Sequence, residues 1–244
     1  GEYAVIVGGH HNTAQGDSAV ISGGLEHFTS ANFAVISGGQ RNNATGLGAV
    51  ISGGTDQLVS EAYSAISGGE RNSVTGERSF IGGGSDNVVD SDHSVISGGK
   101  ENVLTGMYTS VMGGAWNNIS SNWAIVGGGF KNTISEFSTA TVIAGGGNNV
   151  ASECIACFIA GGTKHSTTGS FNFIGGGFTN SVEGRHSVLS GGNANMVNGV
   201  NNVIGGGSKN SATAEGATIS GGIGNFVTGN HSVVGGGEAN AVDH

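Results

Sequence analysis

The chain has 244 residues, with 17 acidic against 8 basic side chains and a net charge of −9. That balance, with no basic stripe, argues against nucleic acid and anionic membrane as partners. Glycine makes up 50 positions and proline none. The glycines do not recur every third residue, which excludes collagen, and the longest apolar run, the seven residues 154–160, falls far short of a membrane span.

The chain is one repeat from end to end. Ile-Ser-Gly-Gly stands at 21–24, 36–39, 51–54, 66–69 and 96–99, and looser copies run from Ile6-Val7-Gly8-Gly9 to Val234-Gly235-Gly236-Gly237. The step is fifteen residues except at two places, and sixteen copies are present. A fixed short period marks a solenoid, in which each coil buries its apolar face on its neighbours. An apolar column in phase with the glycines argues against disorder. The absence of proline fits strands that are nearly all internal. The opening residues, Gly1-Glu2-Tyr3-Ala4, read as mid-strand and not as a signal peptide. Neither end reads as a polar cap, so the expectation is a repeat region taken from a longer protein.

Each coil is numbered from its Ile as position zero. That position is Ile twelve times, Val three times and Leu once, and positions two and three are Gly in all sixteen coils. Position ten is often Gly, as in Gly16, Gly46, Gly76 and Gly106. These two turn signals divide the coil into halves of seven and eight residues, each alternating like a short strand. The predicted fold is therefore all-β: a flattened parallel β-solenoid with two short strands per coil. At about 4.8 Å per strand, sixteen coils make a rod roughly 75 Å long. A triangular coil would need a third turn signal, and none is evident.

In the first eight coils the period is strict. Positions zero and eight (Val59, Val74) supply aliphatic filling, and position thirteen is small (Ala19, Ala34, Ser64). Position six is Asn in thirteen coils. Asn12, Asn42, Asn72 and Asn102, followed later by Asn132, Asn180, Asn210 and Asn240, are expected at a turn. There their amides would stack coil over coil as a structural ladder, bonded to turn carbonyls and amides. His27, Gln57 and His165 replace Asn in the other three coils.

The period then slips. Ile143 follows Val126 by seventeen residues and Ile159 follows Ile143 by sixteen. The extra residues lie near 136–140 and 153–156, and are expected to form bulges on one face. The same repeat resumes, so the expectation is a single solenoid domain over 1–244 with irregular coils near 136–158.

Position fourteen, just before the Ile, is also apolar. It includes Val20, Val35, Val50, Phe80, Val95, Ile125, Val142, Phe158, Phe173, Val188, Val203 and Val233. Adjacent strand residues point to opposite faces. With Ile inside, this column lies outside; with the phase reversed, the Ile column does, and either way one apolar stripe lies on the surface. It would exceed about 400 Å², the size at which an apolar patch implies a partner. Tyr3, Phe33, Tyr63, Tyr108, Trp123 and Phe171, two places earlier in the coil, widen it. The natural partner is another copy of the chain, side by side in a parallel homo-oligomer.

The half-coils Asn72-Ser73-Val74-Thr75-Gly76 and Ser94-Val95-Ile96-Ser97-Gly98-Gly99 resemble the head repeats of trimeric autotransporter adhesins. Similar Gly-Gly-Gly-x-x-Asn repeats occur in phage and giant-virus fibre proteins. The resemblance covers the whole chain and implies a left-handed β-roll, three chains side by side, and a fibre or adhesive head on a virion or cell surface, outside the cell. A cell-surface glycan or receptor would then be the further partner. The doubled glycine and the regular fifteen-residue period depart from the adhesins, so the trimer rests on the resemblance alone. Asn-x-Val-x-Gly also resembles the half-coil of plant ice-binding β-rolls. Position nine is Ser or Thr in eleven coils, but Asp90, Glu183 and Asp243 interrupt it, and Phe28, Leu58, Met196 and Phe226 make the neighbouring position seven uneven.

Little points to chemistry. Cys154-Ile155-Ala156-Cys157 lacks the further ligands of a zinc site and the context of a redox motif, and Cys157 falls at inward position thirteen. His93, His186 and His231 share a column but are too many coils apart to chelate together. Gly83-Gly84-Ser85-Asp86 echoes a calcium-binding roll once, with the wrong period. The Gly-Gly-Gly runs lack the Lys-Ser/Thr and helix of a phosphate loop. No fixed position supplies a matched carboxylate pair, so a depolymerase on the fibre would need a cleft between chains. The reading is a non-enzymatic structural fibre or adhesin segment without cofactor or metal, which associates with itself. Ice binding and a fibre-borne polysaccharide-binding module are the alternatives.

Overall fold

A computed structural model describes residues 1–243. The chain is all-β among the described residues: two parallel sheets, each taking one short strand from each coil, stack as a solenoid of sixteen turns. One sheet carries positions fourteen and zero, as in Val20–Ile21 and Val35–Ile36. The other carries positions seven and eight, as in Leu58–Val59 and Ser73–Val74. The two-strand coil expected from the turn spacing is the coil observed.

By its internal packing the chain divides into two compact units, Gly1–Asn117 and Asn118–His244. In the first, the Ile-bearing strands run from Val5–Ile6 to Ser110–Val111, and the opposing strands from Thr13–Ala14 to Val103–Leu104. Register is one-to-one by column: Val35 pairs with Val50 and Ile36 with Ile51. A slip of one residue would turn the Ile column outward, so burial itself holds the register. Ile21, Ile36, Ile51, Ile66, Ile81 and Ile96 are completely buried, and so are Val59, Val74, Val89 and Leu104 of the opposing strands. Each such side chain contributes about 1.5–3 kcal/mol on burial.

A third line of pairing runs through position four. His10, Leu25, Gln40, Thr55, Glu70 and Ser85 each bridge to the next. These are single bridges within the turn and not a third strand. They show why the turn is as regular as the strands although its side chains vary from coil to coil.

In the second unit the Ile-bearing strands run from Ile125–Val126 to Val233–Val234, and the opposing strands from Asn118–Ile119 to Ala241–Val242. Here the opposing strand lengthens to five or six residues in Val150–Ile155, Ser166–Ser170, Ser181–Arg185 and Met196–Val200. The irregular coils lie in this unit. Glu136 and Phe137 form a turn in which Phe137 is 74% exposed. Glu153 is the extra residue of the next coil: the pairing register shifts between Ser152 and Cys154, and Glu153 takes a left-handed φ of 51°. Both insertions leave the core column intact, with Ile143 and Ile159 fully buried.

Candidate interaction surface

The glycine pair and the Asn form one device. Asn42 donates from Nδ2 to the Gly38 carbonyl of its own coil and the Gly54 carbonyl of the next, both at 3.0 Å. Its Oδ1 accepts from the Gln57 amide at 3.0 Å. Asn12, Asn72, Asn132, Asn180 and Asn210 repeat this pattern with their own glycines. Asn102 donates to Gly98 and Gly114, and Asn240 to Gly236 and the Asn225 side chain. One side chain thus closes the turn of its coil and staples it to the next. The second glycine is required for this geometry. Gly39 has φ +99°, and a Cβ there would strike the Gly54 carbonyl and the Asn42 amide.

The three replacements keep only half of the device. His27 and His165 accept the next coil's amide at Nδ1, at 3.1 Å, and Gln57 does so through Oε1 at 3.0 Å. In each, the remaining side-chain nitrogen is buried without a partner. Burial holds the His27 and His165 pKa values below the usual imidazole value.

A second ladder at the opposite turn has no counterpart in the sequence reading. Ser64 Oγ donates to the Gly76 carbonyl at 2.7 Å and accepts the Ser79 amide at 2.9 Å, and Ser79 and Ser94 continue the line. In the second unit Asn172 does the same with Thr168, Gly184 and Ser187. Position thirteen is small or polar for this reason. The usable cue was the change from Ala to Ser and Asn at a buried column.

The outer face of the Ile-bearing sheet is the candidate surface. In the first unit Val20, Val35, Val50 and Val95 are half-buried on it, and Phe80 is 37% exposed. In the second unit Val142 and Val188 are half-buried, while Ile125, Phe158, Phe173, Val203 and Val233 are exposed. Phe158 and Phe173 stack with ring centres 5.7 Å apart. From position thirteen through position three no coil carries a charged residue. The 25 charged side chains all lie on the remaining perimeter, although a surface of this kind ordinarily mixes both signs.

Beside this face runs a column with an unusual backbone. Position twelve is left-handed throughout, and bulky residues occupy it: Phe33, Tyr63, Tyr108, Trp123 and Phe171 have φ between 56° and 60°. Such conformations cost of order 1–3 kcal/mol for bulky residues and persist where surrounding structure imposes them. Their side chains point outward, Tyr63 being 60% and Trp123 58% exposed. Neighbours stack along the column: His93 on Tyr108 at 4.8 Å and Phe171 on His186 at 5.2 Å. Position five is also left-handed and carries charge. From Glu26 to Asp86 its sign alternates coil by coil, with Arg41 bonded to Asp56 and Arg71 to Asp86. The hydrogen bond from Arg41 holds the Asp56 carboxyl below its usual range, and that from Arg71 does the same for Asp86.

The other surfaces offer less. Cys154 and Cys157 are free and buried. The hydrogen bond with Cys157, together with burial, pushes the Cys154 thiol well up. Among the described residues no group of three His, Cys, Asp or Glu side chains is placed to hold a metal, and no cavity opens. On the opposing sheet, Thr75 is bonded to Asp90 and Thr228 to Asp243, and Met196 and Phe226 protrude. Those groups break up a flat hydroxyl array. No helix among the described residues is long and apolar enough to cross a membrane.

Fold and surface together define a β-solenoid repeat protein with one charge-free, apolar face per coil. No protein-family model matches the chain, and no curated protein does either.

Proposed function

We propose that this chain is a non-enzymatic structural segment of an extracellular fibre or adhesin, on a virion or cell surface, assembled by parallel association of identical chains. The observation that carries the reading is the uncharged apolar face. In a chain of net charge −9, it repeats at every coil with its Val and Phe side chains still partly open to solvent. Eight coils at about 4.8 Å and two strand repeats of about 6.6 Å across give roughly 500 Å² of face per unit. Two such faces together bury about 1,000 Å², the lower bound of a specific interface. Charge depletion at the centre is what interface cores display.

Three copies is the stoichiometry that the resemblance to trimeric autotransporter adhesin heads supports. The aromatic column beside the face, exposed and held in strained backbone, is suited to a glycan or receptor as a further partner. The test replaces Val35 and Val50 with Glu. Assembly should fall to monomer with an unchanged circular dichroism spectrum; a double variant that assembles like the parent would reject the face. Ice binding remains the other reading of the fold, and faceted ice crystals at submillimolar protein would favour it.

A further inference from the structure

The two glycines of each pair are equally invariant among the coils, yet the fold explains the second in every coil and the first only in the five coils that carry a third glycine before the pair. The second has a left-handed φ and a Cβ position blocked by backbone in coil after coil. The first is different. At Gly23, Gly38, Gly53, Gly68, Gly145 and Gly221 an added Cβ would meet nothing within 4 Å, and none of these has a left-handed φ. Where the φ of a first glycine does turn positive, as at Gly83 and Gly176 (157° and 151°), the coil carries a third glycine before it. Position one, directly before, holds Ser, Val, Gly, Met and Ala in different coils, so the repeats have had room to diverge. Position two has not diverged once in sixteen coils.

In the eleven coils without a third glycine before the pair, the first glycine has neither a left-handed φ nor a blocked Cβ, and a glycine kept without such a reason inside the chain marks a close approach by something outside it. We propose that the first glycine of each pair is where the backbone of a second copy of this chain packs. The proposal rests on the self-association reading and places the contact within the face. The occupant must impose the same constraint at every coil, so it must repeat with the coil spacing. A second copy in parallel does so by construction, coil against coil. Position two also continues the uncharged strip that holds the small residues Ser22, Ser37 and Ser52 and the Val column. Without side chains, two backbones can approach closely enough for Cα–H to carbonyl contacts.

The test gives four first glycines of the first unit a methyl group: Gly23→Ala, Gly38→Ala, Gly53→Ala and Gly68→Ala. The single variants Gly53→Ala and, outside the face, the exposed Ser30→Ala accompany it. Each is compared with the parent by sedimentation equilibrium, circular dichroism and melting. The quadruple variant should keep the parent spectrum while its dissociation constant rises at least a hundredfold. Gly53→Ala should raise the constant a few-fold and Ser30→Ala should leave it unchanged. An assembled parent with an equally assembled quadruple variant would overturn the glycine contact and leave self-association standing. A monomeric parent would overturn both, and thermal hysteresis by that monomer would assign the glycine strip to an ice lattice instead. If Gly53→Ala alone unfolds the chain, the glycine serves the fold and the proposal is wrong.

Discussion

Asn42 meets two carbonyls and one amide with a single side chain, and these groups belong to two successive coils. Removing such a group leaves buried polar atoms unpaired, which costs about 1–3 kcal/mol for each. Asn72→Ala should therefore lower stability by about 2–4 kcal/mol, measured by urea unfolding. His27 and His165 show the same logic in reverse. Each occupies the Asn position with one nitrogen unpaired and its pKa lowered by burial. The unfolded chain takes up a proton near pH 6.5 that the folded imidazole resists. Stability is then complete above that pH and is lost as pH falls toward the depressed folded value. His27→Asn with His165→Asn should raise the melting temperature at pH 7, and the gain over the parent should widen at pH 5.5. An equal gain at both pH values would show that the imidazoles titrate normally.

At the scale of the coil, the hydrophobic ladder sets the architecture and the turns adapt to it. Glu136 and Phe137 add two residues and Glu153 adds one, without disturbing Ile143 or Ile159. Excising Glu136 and Phe137 restores the fifteen-residue step by joining Ser135 to Ser138. This deletion should leave stability within about 1 kcal/mol of the parent, because an exposed turn carries little of the packing. A cooperative loss of structure on melting analysis would instead give the bulge a structural role. The strands and the two-sided coil could be read from the sequence, because side-chain alternation is local and repeats sixteen times; that Ile takes the inward side is seen in its burial. The left-handed columns at positions five and twelve could not. Residues such as Tyr63, Arg71 and Trp116 do not favour that backbone, and only the closed geometry of the coil imposes it. The Ser and Asn ladder at position thirteen escaped notice for a related reason. Small size alone explains Ala19 and Ala34, and hydroxyl bonding shows only once Ser64 and Gly76 are placed side by side. The asymmetry of the glycine pair was likewise invisible, since both members look the same as letters.

For the molecule as a whole, the proposed function rests on the face that the solenoid presents. A column rich in Val and Phe lies within six consecutive coil positions, thirteen through three, that are free of charge, in a chain whose remaining perimeter carries every ionised side chain. Under the self-association proposed above, the partner would match this repeat coil by coil, as another copy of the chain does. The most direct measurement is the mass of the chain at micromolar concentration by sedimentation equilibrium. The account predicts an assembled species, at three times 23.9 kDa for the side-by-side trimer. A single species of 23.9 kDa across the whole concentration range would contradict it.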